Sequence, residues 1–347
     1  MMPQVKQDNS VNGRIGYIDA LKGFTIFLVV FNHVSIFYLQ VPVDAISFHY
    51  YFIQLQMPMF FLLSGFFSYK AGEMWNVGSV FNRLKKRVPR LLIAPFLFLV
   101  VLCYVKGIGL NNALLNPLKQ GYWFTFILFG YYLLYVIIRL CTRSDKWAGV
   151  VAIVLGIVLF PTSWVEYYLR IPVPEHILGL LSVFFWGSFI YFVLGVLLKR
   201  HFDQALACLH GKWLLPLCIL SYIFINVFYK DIPVGDMYKE LPLVLSGLVV
   251  FFGFFEKKQE LFSNQHRLGR VLQYMGRRTL DIYLIHFFMI PLDFKIITVF
   301  MDHSMPVIEA FVAAVIAVLI IAVSLLVSEI LRLSPFLAHW LFGAKKA

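Results

Sequence analysis

The sequence contains little charge and little cysteine. Asp, Glu, Lys and Arg make up 14% of the 347 residues, whereas about 25% is usual in globular proteins. Motifs of the Gly-x-Gly-x-x-Gly, P-loop and Gly-x-Ser-x-Gly kinds are absent, which argues against dinucleotide-binding, P-loop and α/β-hydrolase enzymes. No Cys-x-x-Cys spacing occurs, so neither a zinc site nor a disulfide framework is indicated. The four cysteines are Cys103, Cys141, Cys208 and Cys218.

Apolar residues are correspondingly abundant. Hydrophobic residues account for 61% of the chain, against about 45–50% apolar residues in globular proteins. Runs of about 20 apolar residues, long enough to cross a bilayer as a helix, recur along the whole chain. We therefore predict an all-α, polytopic membrane helix bundle with about ten transmembrane helices. The predicted spans lie near residues 18–39, 49–68, 89–105, 122–140, 147–164, 177–198, 213–229, 240–255, 279–300 and 307–331.

The residues outside these spans are divided among eleven tails and loops. We expect residues 1–347 to form a single membrane domain, with tails at 1–17 and 332–347 and no appended soluble domain. The first apolar run, Ala20 to Leu39, is not followed by a cleavage site of small residues, so we expect it to remain as an uncleaved span.

The distribution of Lys and Arg predicts the orientation. If the N-terminus is cytoplasmic, 23 of the 30 basic residues fall in the tails and inner loops and 5 in outer loops, with Lys22 and Lys295 inside spans. Arg90 and Arg139, at the ends of their spans, are counted with the inner loops that they adjoin. Cytoplasmic segments carry such an excess, so we predict that both termini are cytoplasmic. The net charge of +12 reflects this orientation. It does not indicate nucleic-acid binding, because the basic residues are dispersed among the inner loops.

The first span contains Asp19, Lys22, Asn32 and His33 in an otherwise apolar helix. Lys22 and His33 are about 20° apart around the helix and about 16 Å apart along it, and Asp19 lies about 60° from Lys22. We interpret this face as a polar track from the cytoplasmic boundary toward the outer half. Alternatively, Lys22 extends to the cytoplasmic surface and His33 only bonds to a neighbouring helix.

Two further spans carry polar side chains. In the second span, Gln54 and Gln56 are expected at about the depth of His33, whereas Ser64, next to a glycine, suits either close helix packing or a substrate contact. In the ninth span, Tyr283 and His286 are three residues apart and can share a face, so His286 either lines a site or bonds to another helix. The other histidines show no pairing typical of a metal site.

A basic segment precedes the third span, in what we interpret as an inner loop. It reads Arg83-Leu-Lys-Lys-Arg87-Val-Pro-Arg90. Positive charges before a span are partly a determinant of orientation. Arg87 and Arg90, three residues apart, could also form a fork for phosphate.

Three of these stretches together resemble the membrane acyltransferase-3 family of bacterial carbohydrate O-acyltransferases, which have ten core spans. They are "YIDALKGFTIFLVVFNH" with Lys22-x10-His33, "FFLLSGFF" from Phe60 to Phe67, and "RVPRLLIAP". Weaker matches are Trp123-Phe124 and the Tyr283-Leu-Ile-His286 sequence. The resemblance implies that Lys22 and His33 are the family's essential basic and histidine residues, and that Arg87 and Arg90 are its Arg-x-x-Arg pair. Many members have Arg in place of Lys22.

The resemblance implies an O-acetyltransferase of the bacterial inner membrane that moves an acyl group from acyl-CoA, expected to be acetyl-CoA, to a hydroxyl of a cell-surface or lipid-linked glycan. No cofactor beyond the donor and no metal is expected; the expected partners are acyl-CoA, the glycan and the bilayer, and association into a homo-oligomer is left open. The expected catalytic residues are His33, Lys22 and Asp19. Arg83, Arg87, Arg90 and Lys22 are expected to bind acyl-CoA, and Gln54, Gln56, Ser64, Trp123, Tyr283 and His286 are expected to bind substrate.

Two other functions fit the same residues. In a transporter or exporter of an envelope glycan, the polar track would be a permeation path, although no internal repeat is visible. A non-catalytic scaffold of an envelope-assembly complex is the second alternative. Capture of acyl-CoA would distinguish the enzyme from both.

Overall fold

The fold is built from helices throughout the part of the chain that the computed structural model describes. That part comprises residues 15–39, 41, 50–73, 75–142, 144–161, 179, 183–229, 231–232, 236–290 and 306–343. The α-helices, in chain order, are α1 Gly16–His33, α2 Tyr50–Ser68, α3 Val77–Val88, α4 Ala94–Lys106, α5 Leu110–Leu115, α6 Trp123–Cys141, α7 Asp145–Leu159, α8 Phe189–Arg200, α9 Phe202–Leu209, α10 Leu214–Val227, α11 Asp236–Lys257, α12 Arg267–Arg277, α13 Thr279–Met289, α14 Pro306–Arg332 and α15 Pro335–Phe342.

Six of the described helical segments are long and apolar enough to cross a membrane. A seventh is obtained if α9 and α10, bent by 75° relative to each other, are counted as one span. The all-helical class is therefore confirmed. The total of about ten spans and the cytoplasmic termini stay predictions. The six segments are Gly16–Tyr38, Tyr50–Ser68, Val77–Lys106, Trp123–Cys141, Tyr238–Lys257 and Pro306–Arg332.

Some sequence predictions fall outside the described residues. One is the second part of predicted span nine, residues 291–300, which includes Pro291, Asp293 and Lys295. His176 and His303, two of the histidines without a pairing typical of a metal site, also lie outside the described residues. The described part of that span is the 11-residue helix α13.

The basic segment between the second and third predicted spans is helical. Helix α3 begins at a capping box in which Asn76 and Ser79 bond reciprocally, which satisfies two backbone donors. It continues through a π-helical turn at Pro89–Ile93 directly into α4. Proline has no N–H for the α-helical ladder, which accounts for a change of hydrogen-bond pattern at Pro89. A segment between two membrane spans can be helical, so its location in an inner loop stays a prediction.

Two pairs of glycines bring α1 and α2 into backbone contact with other helices. A Cβ atom on Gly23 would overlap the Leu272 carbonyl of α12, and one on Gly276 of α12 would overlap the Asp19 carbonyl. Gly65 of α2 and Gly195 of α8 meet in the same reciprocal way. Small residues permit this close packing of membrane helices. The close approach predicted next to Ser64 is therefore observed, and it fixes the positions of α1 and α2 against their neighbours.

A buried carboxylate joins α13 to α14. Asp281 accepts hydrogen bonds from Arg332 Nη2 at 2.7 Å, Arg332 Nε at 3.0 Å, Ser328 Oγ at 2.6 Å and Arg278 Nη1 at 3.2 Å. The Asp281 side chain is only 4% exposed, so these donors supply the compensation that a buried charge requires. The network anchors the helix that carries His286.

Candidate active site

Two histidines from distant parts of the chain form the centre of the site. His33, the last residue of α1, and His286 of α13 are joined by a hydrogen bond of 2.9 Å between His33 Nδ1 and His286 Nε2. Their rings are parallel within 4°, with centroids 5.2 Å apart. His286 is fully buried, whereas His33 is partly exposed. Of the two imidazoles, His33 is therefore the one that a substrate can reach.

Aromatic side chains enclose the histidine pair. The ring of Phe287 lies 4.9 Å from His33 and 4.2 Å from His286, and Phe37 lies 5.5 Å from His33. The Tyr283 hydroxyl donates a hydrogen bond to the Gly121 carbonyl at 2.7 Å and not to either histidine.

The turn before α6 forms a wall of this site. Three consecutive residues, Lys119, Gln120 and Gly121, have positive φ angles of 45°, 53° and 99°, a conformation that is costly for residues other than glycine. The buried Lys119 ammonium stabilises the turn by donating to the Leu114 carbonyl at 3.2 Å. Burial lowers the pKa of this ammonium. Tyr122 then donates to the Leu284 carbonyl at 2.8 Å, which ties the turn to α13.

Buried amide groups lie on the facing sides of α1 and α2. Gln56 of α2 lines a small cavity with Thr25 and Leu28 of α1, and Asn32 follows one turn later on the same stripe of α1. Neither Asn32 amide atom, nor Oε1 of Gln54 or Gln56, has a hydrogen-bond partner among the described residues. Gln54 and Gln56 are about 200° apart around α2, so they face different neighbours. Asn32, which the sequence interpretation left out of the site, is therefore a better companion for Gln56.

Trp123 and Ser64 make contacts with other parts of the helix bundle. Trp123 belongs to an aromatic cluster, with ring centroids 6.3 Å from Phe61 and 6.2 Å from Phe124. The ring of Phe124 in turn lies 5.7 Å from that of Tyr283. Trp123 is therefore connected to the site through Phe124 and Tyr283. Ser64 lies in the C-terminal half of α2, where its carbonyl accepts a hydrogen bond from Ser68 Oγ.

At the C-terminal end of α2, three consecutive residues each contact a cationic side chain from another helix. Lys22 lies 4.6 Å from the ring of Phe67, Lys199 lies 4.9 Å from the ring of Phe66, and Arg87 donates to Ser68 Oγ at 3.3 Å. The two phenylalanine rings are 5.4 Å apart. We call Lys22, Arg87 and Lys199 the inner cation cluster. Lys199 was missed because a lysine at the end of a span looks like an orientation signal.

The other predicted donor-binding residues are held elsewhere. Arg83 pairs with Glu73 and lies over the Trp75 ring at 4.3 Å. Arg90 donates to the Gly343 carbonyl from Nη2 at 2.7 Å and from Nε at 3.2 Å, at the C-terminal end of α15. Arg87 instead stacks 3.8 Å from the Tyr132 ring. Arg87 and Arg90 thus bind different partners and do not form the expected fork.

The face of α1 between Lys22 and His33 is closed. Lys22 is paired with Asp19 at 2.5 Å, but Ile26 and Val29, which lie between the two polar ends, are 1% and 0% exposed. The expected continuous polar track is therefore wrong in its middle, because neighbouring helices pack against these two side chains. The site has two polar ends with an apolar layer between them.

Within the described residues, no group of three or more His, Cys, Asp or Glu side chains could hold a metal ion. A family model described as an acyltransferase domain matches residues 15–327, which includes both polar ends of the site. No curated protein and no solved structure gives a significant match.

Proposed function

The chain belongs to the acyltransferase-3 family, and we propose that it is an O-acetyltransferase that transfers an acetyl group from acetyl-CoA to a hydroxyl of a cell-surface or lipid-linked glycan. The observation that carries the proposal is the pairing of a partly exposed histidine, His33, with a buried one, His286. An imidazole held in this way can serve as a general base.

The chemistry requires one proton acceptor and no cofactor beyond the donor. His33 takes the proton from the acceptor hydroxyl as its oxygen attacks the thioester carbonyl. The tetrahedral intermediate then collapses, the carbon–sulfur bond breaks, and the CoA thiolate takes the proton back from His33. The products are the O-acetyl ester and CoA with a free thiol.

The inner cation cluster is our candidate for the phosphates of the donor. Arg87 and Lys22 extend from different helices to adjacent residues of α2, and guanidinium and ammonium groups both bind phosphate. Since about 16 Å of helix separates Lys22 from His33, the pantetheine arm would carry the acetyl group outward. The apolar layer at Ile26 and Val29 means that this delivery requires the helices to part, or a route along another face of α1.

We further propose that the protein resides in the bacterial inner membrane with both termini cytoplasmic. The inner cation cluster then faces the cytoplasmic pool of acetyl-CoA, and His33 lies nearer the outer surface. The glycan would bind beside Asn32 and Gln56, whose buried amide atoms can bond to sugar hydroxyls. Self-association is compatible with this arrangement.

Mass spectrometry of surface glycans tests the proposed function. Cells that carry the gene are expected to show O-acetyl groups that are absent from a deletion strain and absent again when His33→Ala replaces the wild type. A transporter predicts a different result, in which purified protein in proteoliposomes moves its substrate without any acyl donor. Glycans identical in the three strains would contradict the proposal.

Replacing a member of the inner cation cluster should weaken donor binding. Arg87→Ala removes a charge-assisted contact of about 1.5–3 kcal/mol, so the Kd for acetyl-CoA is expected to rise about 10- to 100-fold. Lys22→Ala and Lys199→Ala should act in the same direction, whereas Lys22→Arg should be milder. Calorimetric titration of the purified protein measures the change. Lys86→Ala, an exposed residue of the same helix as Arg87, is the matched control, and equal affinities in all variants would assign these residues to orientation only.

A further inference from the structure

The hydrogen bonds of His286 determine which of its nitrogens carries the proton. His286 Nδ1 lies 3.0 Å from the Ile282 carbonyl oxygen. A carbonyl oxygen can only accept, so Nδ1 is the donor and bears the hydrogen. In a neutral imidazole the other nitrogen is then a bare acceptor. His286 is 0% exposed, and burial without a countercharge disfavours a second proton on the ring.

The same reasoning extends to His33. Its Nδ1 lies 2.9 Å from His286 Nε2, and that atom can only accept. His33 Nδ1 must therefore be the donor, which leaves His33 Nε2 without hydrogen and with a free lone pair. The hydrogen bonds run in one direction, from His33 to His286 to the backbone of α13.

We propose that His286 is a positioning residue, which fixes His33 in the Nδ1–H tautomer and so makes Nε2 the atom that accepts the substrate proton. This inference rests on the proposed function of His33 as the base. His286 does not exchange protons itself, because both of its nitrogens are engaged and the ring is buried. It acts as the third group that orients a base.

The arrangement also suits the charged state of His33. After Nε2 takes the substrate proton, Nδ1–H still donates to His286 Nε2, and a hydrogen bond from a charged donor is about twice as strong as a neutral one. Phe287 contacts both rings at 4.9 Å and 4.2 Å and keeps them in register. The ring of His33 is therefore held in one orientation before and after proton transfer.

Two substitutions separate positioning from simple packing. In His286→Gln the side-chain oxygen can still accept from His33 Nδ1–H, whereas His286→Leu fills a similar volume and offers no acceptor. We expect the Leu variant to lose at least about 10-fold in kcat, and no more than the about 10²–10⁴-fold that a general base contributes, with KM for donor and glycan little changed. The Gln variant should keep kcat within about 10-fold of wild type and above that of the Leu variant.

Nitrogen-15 NMR of protein labelled at histidine reads the tautomer without turnover. The signals of His33, assigned by their loss in His33→Gln, should report Nδ1–H in the wild type and in His286→Gln, and a mixture of tautomers in His286→Leu. An unchanged tautomer and kcat in His286→Leu, or equal losses in both variants with unchanged thermal midpoints, would overturn the proposal. If the wild-type tautomer is as expected but no acyl transfer occurs, the proposed function fails and the role in proton transfer fails with it, whereas the tautomer assignment stands.

Discussion

His33→Ala is expected to lower the rate of acyl transfer by about 10²–10⁴-fold, because this is what a positioned general base contributes. The substitution removes the only imidazole of the pair that is partly exposed. It leaves His286 Nε2 without its donor but does not touch the inner cation cluster. Affinity for acetyl-CoA should therefore stay close to that of the wild type, and kcat should carry the loss. Initial rates with purified protein in lipid nanodiscs, over a range of donor and acceptor concentrations, make this measurement.

The matched control is His266→Ala. His266 is an exposed histidine that precedes α12 and lies outside both polar ends of the site, so its loss should leave kcat unchanged. Size-exclusion profiles and thermal midpoints show whether each variant is folded. A folded His33→Ala protein with near wild-type kcat would remove His33 as the base, and the family assignment would stand.

Local sequence patterns were sufficient for the first helix of the site. The interval from Lys22 to His33 placed both residues on one face of a single helix, and helical geometry alone relates positions within one helix. The partner of His33 could not be found in this way. His286 lies 253 residues further along the chain, and its position beside His33 depends on how α1 and α13 pack. The sequence allowed either a substrate contact or an interhelical bond for His286; the structure shows the bond to His33, and the substrate contact stays a prediction.

Arg87 and Arg90 illustrate the opposite problem. Their spacing suggested one shared ligand, yet Arg87 contacts α2 and α6 while Arg90 reaches the end of α15. A π-helical turn begins at Pro89, between them, so the angular relation of a regular α-helix does not apply across it. Sequence spacing predicts a shared face only where the helix is regular.

Composition predicted the fold class but not the ends of the individual helices. Apolar runs predicted an all-helical bundle because a bilayer demands internally satisfied backbone groups. The ends of the helices were predicted less well, since the helical segment Val77–Lys106 includes the basic stretch that precedes predicted span 89–105. Charge marks where a chain leaves the membrane, and it does not mark where a helix stops.

Arg332→Ala is expected to destabilise the protein by about 3 kcal/mol, at the lower end of the 3–5 kcal/mol measured when one partner of a buried ion pair is removed. Asp281, whose side chain is 4% exposed, would lose its bidentate partner and keep Ser328 and Arg278. The retained donors are the reason for choosing the lower value. Unfolding of the purified protein in detergent, followed by intrinsic tryptophan fluorescence, should show a lower midpoint.

The double variant Asp281→Leu/Arg332→Met distinguishes loss of compensation from loss of contact. Replacing both partners by apolar side chains leaves no buried charge, so most of the stability should return. Arg270→Ala, an exposed arginine of α12, should change stability by no more than about 0.5 kcal/mol. A double variant as unstable as Arg332→Ala would show that the pair is needed for specific packing of α13 on α14. Since His286 follows Asp281 by only five residues on α13, that outcome would also predict a weakened bond between His286 and His33.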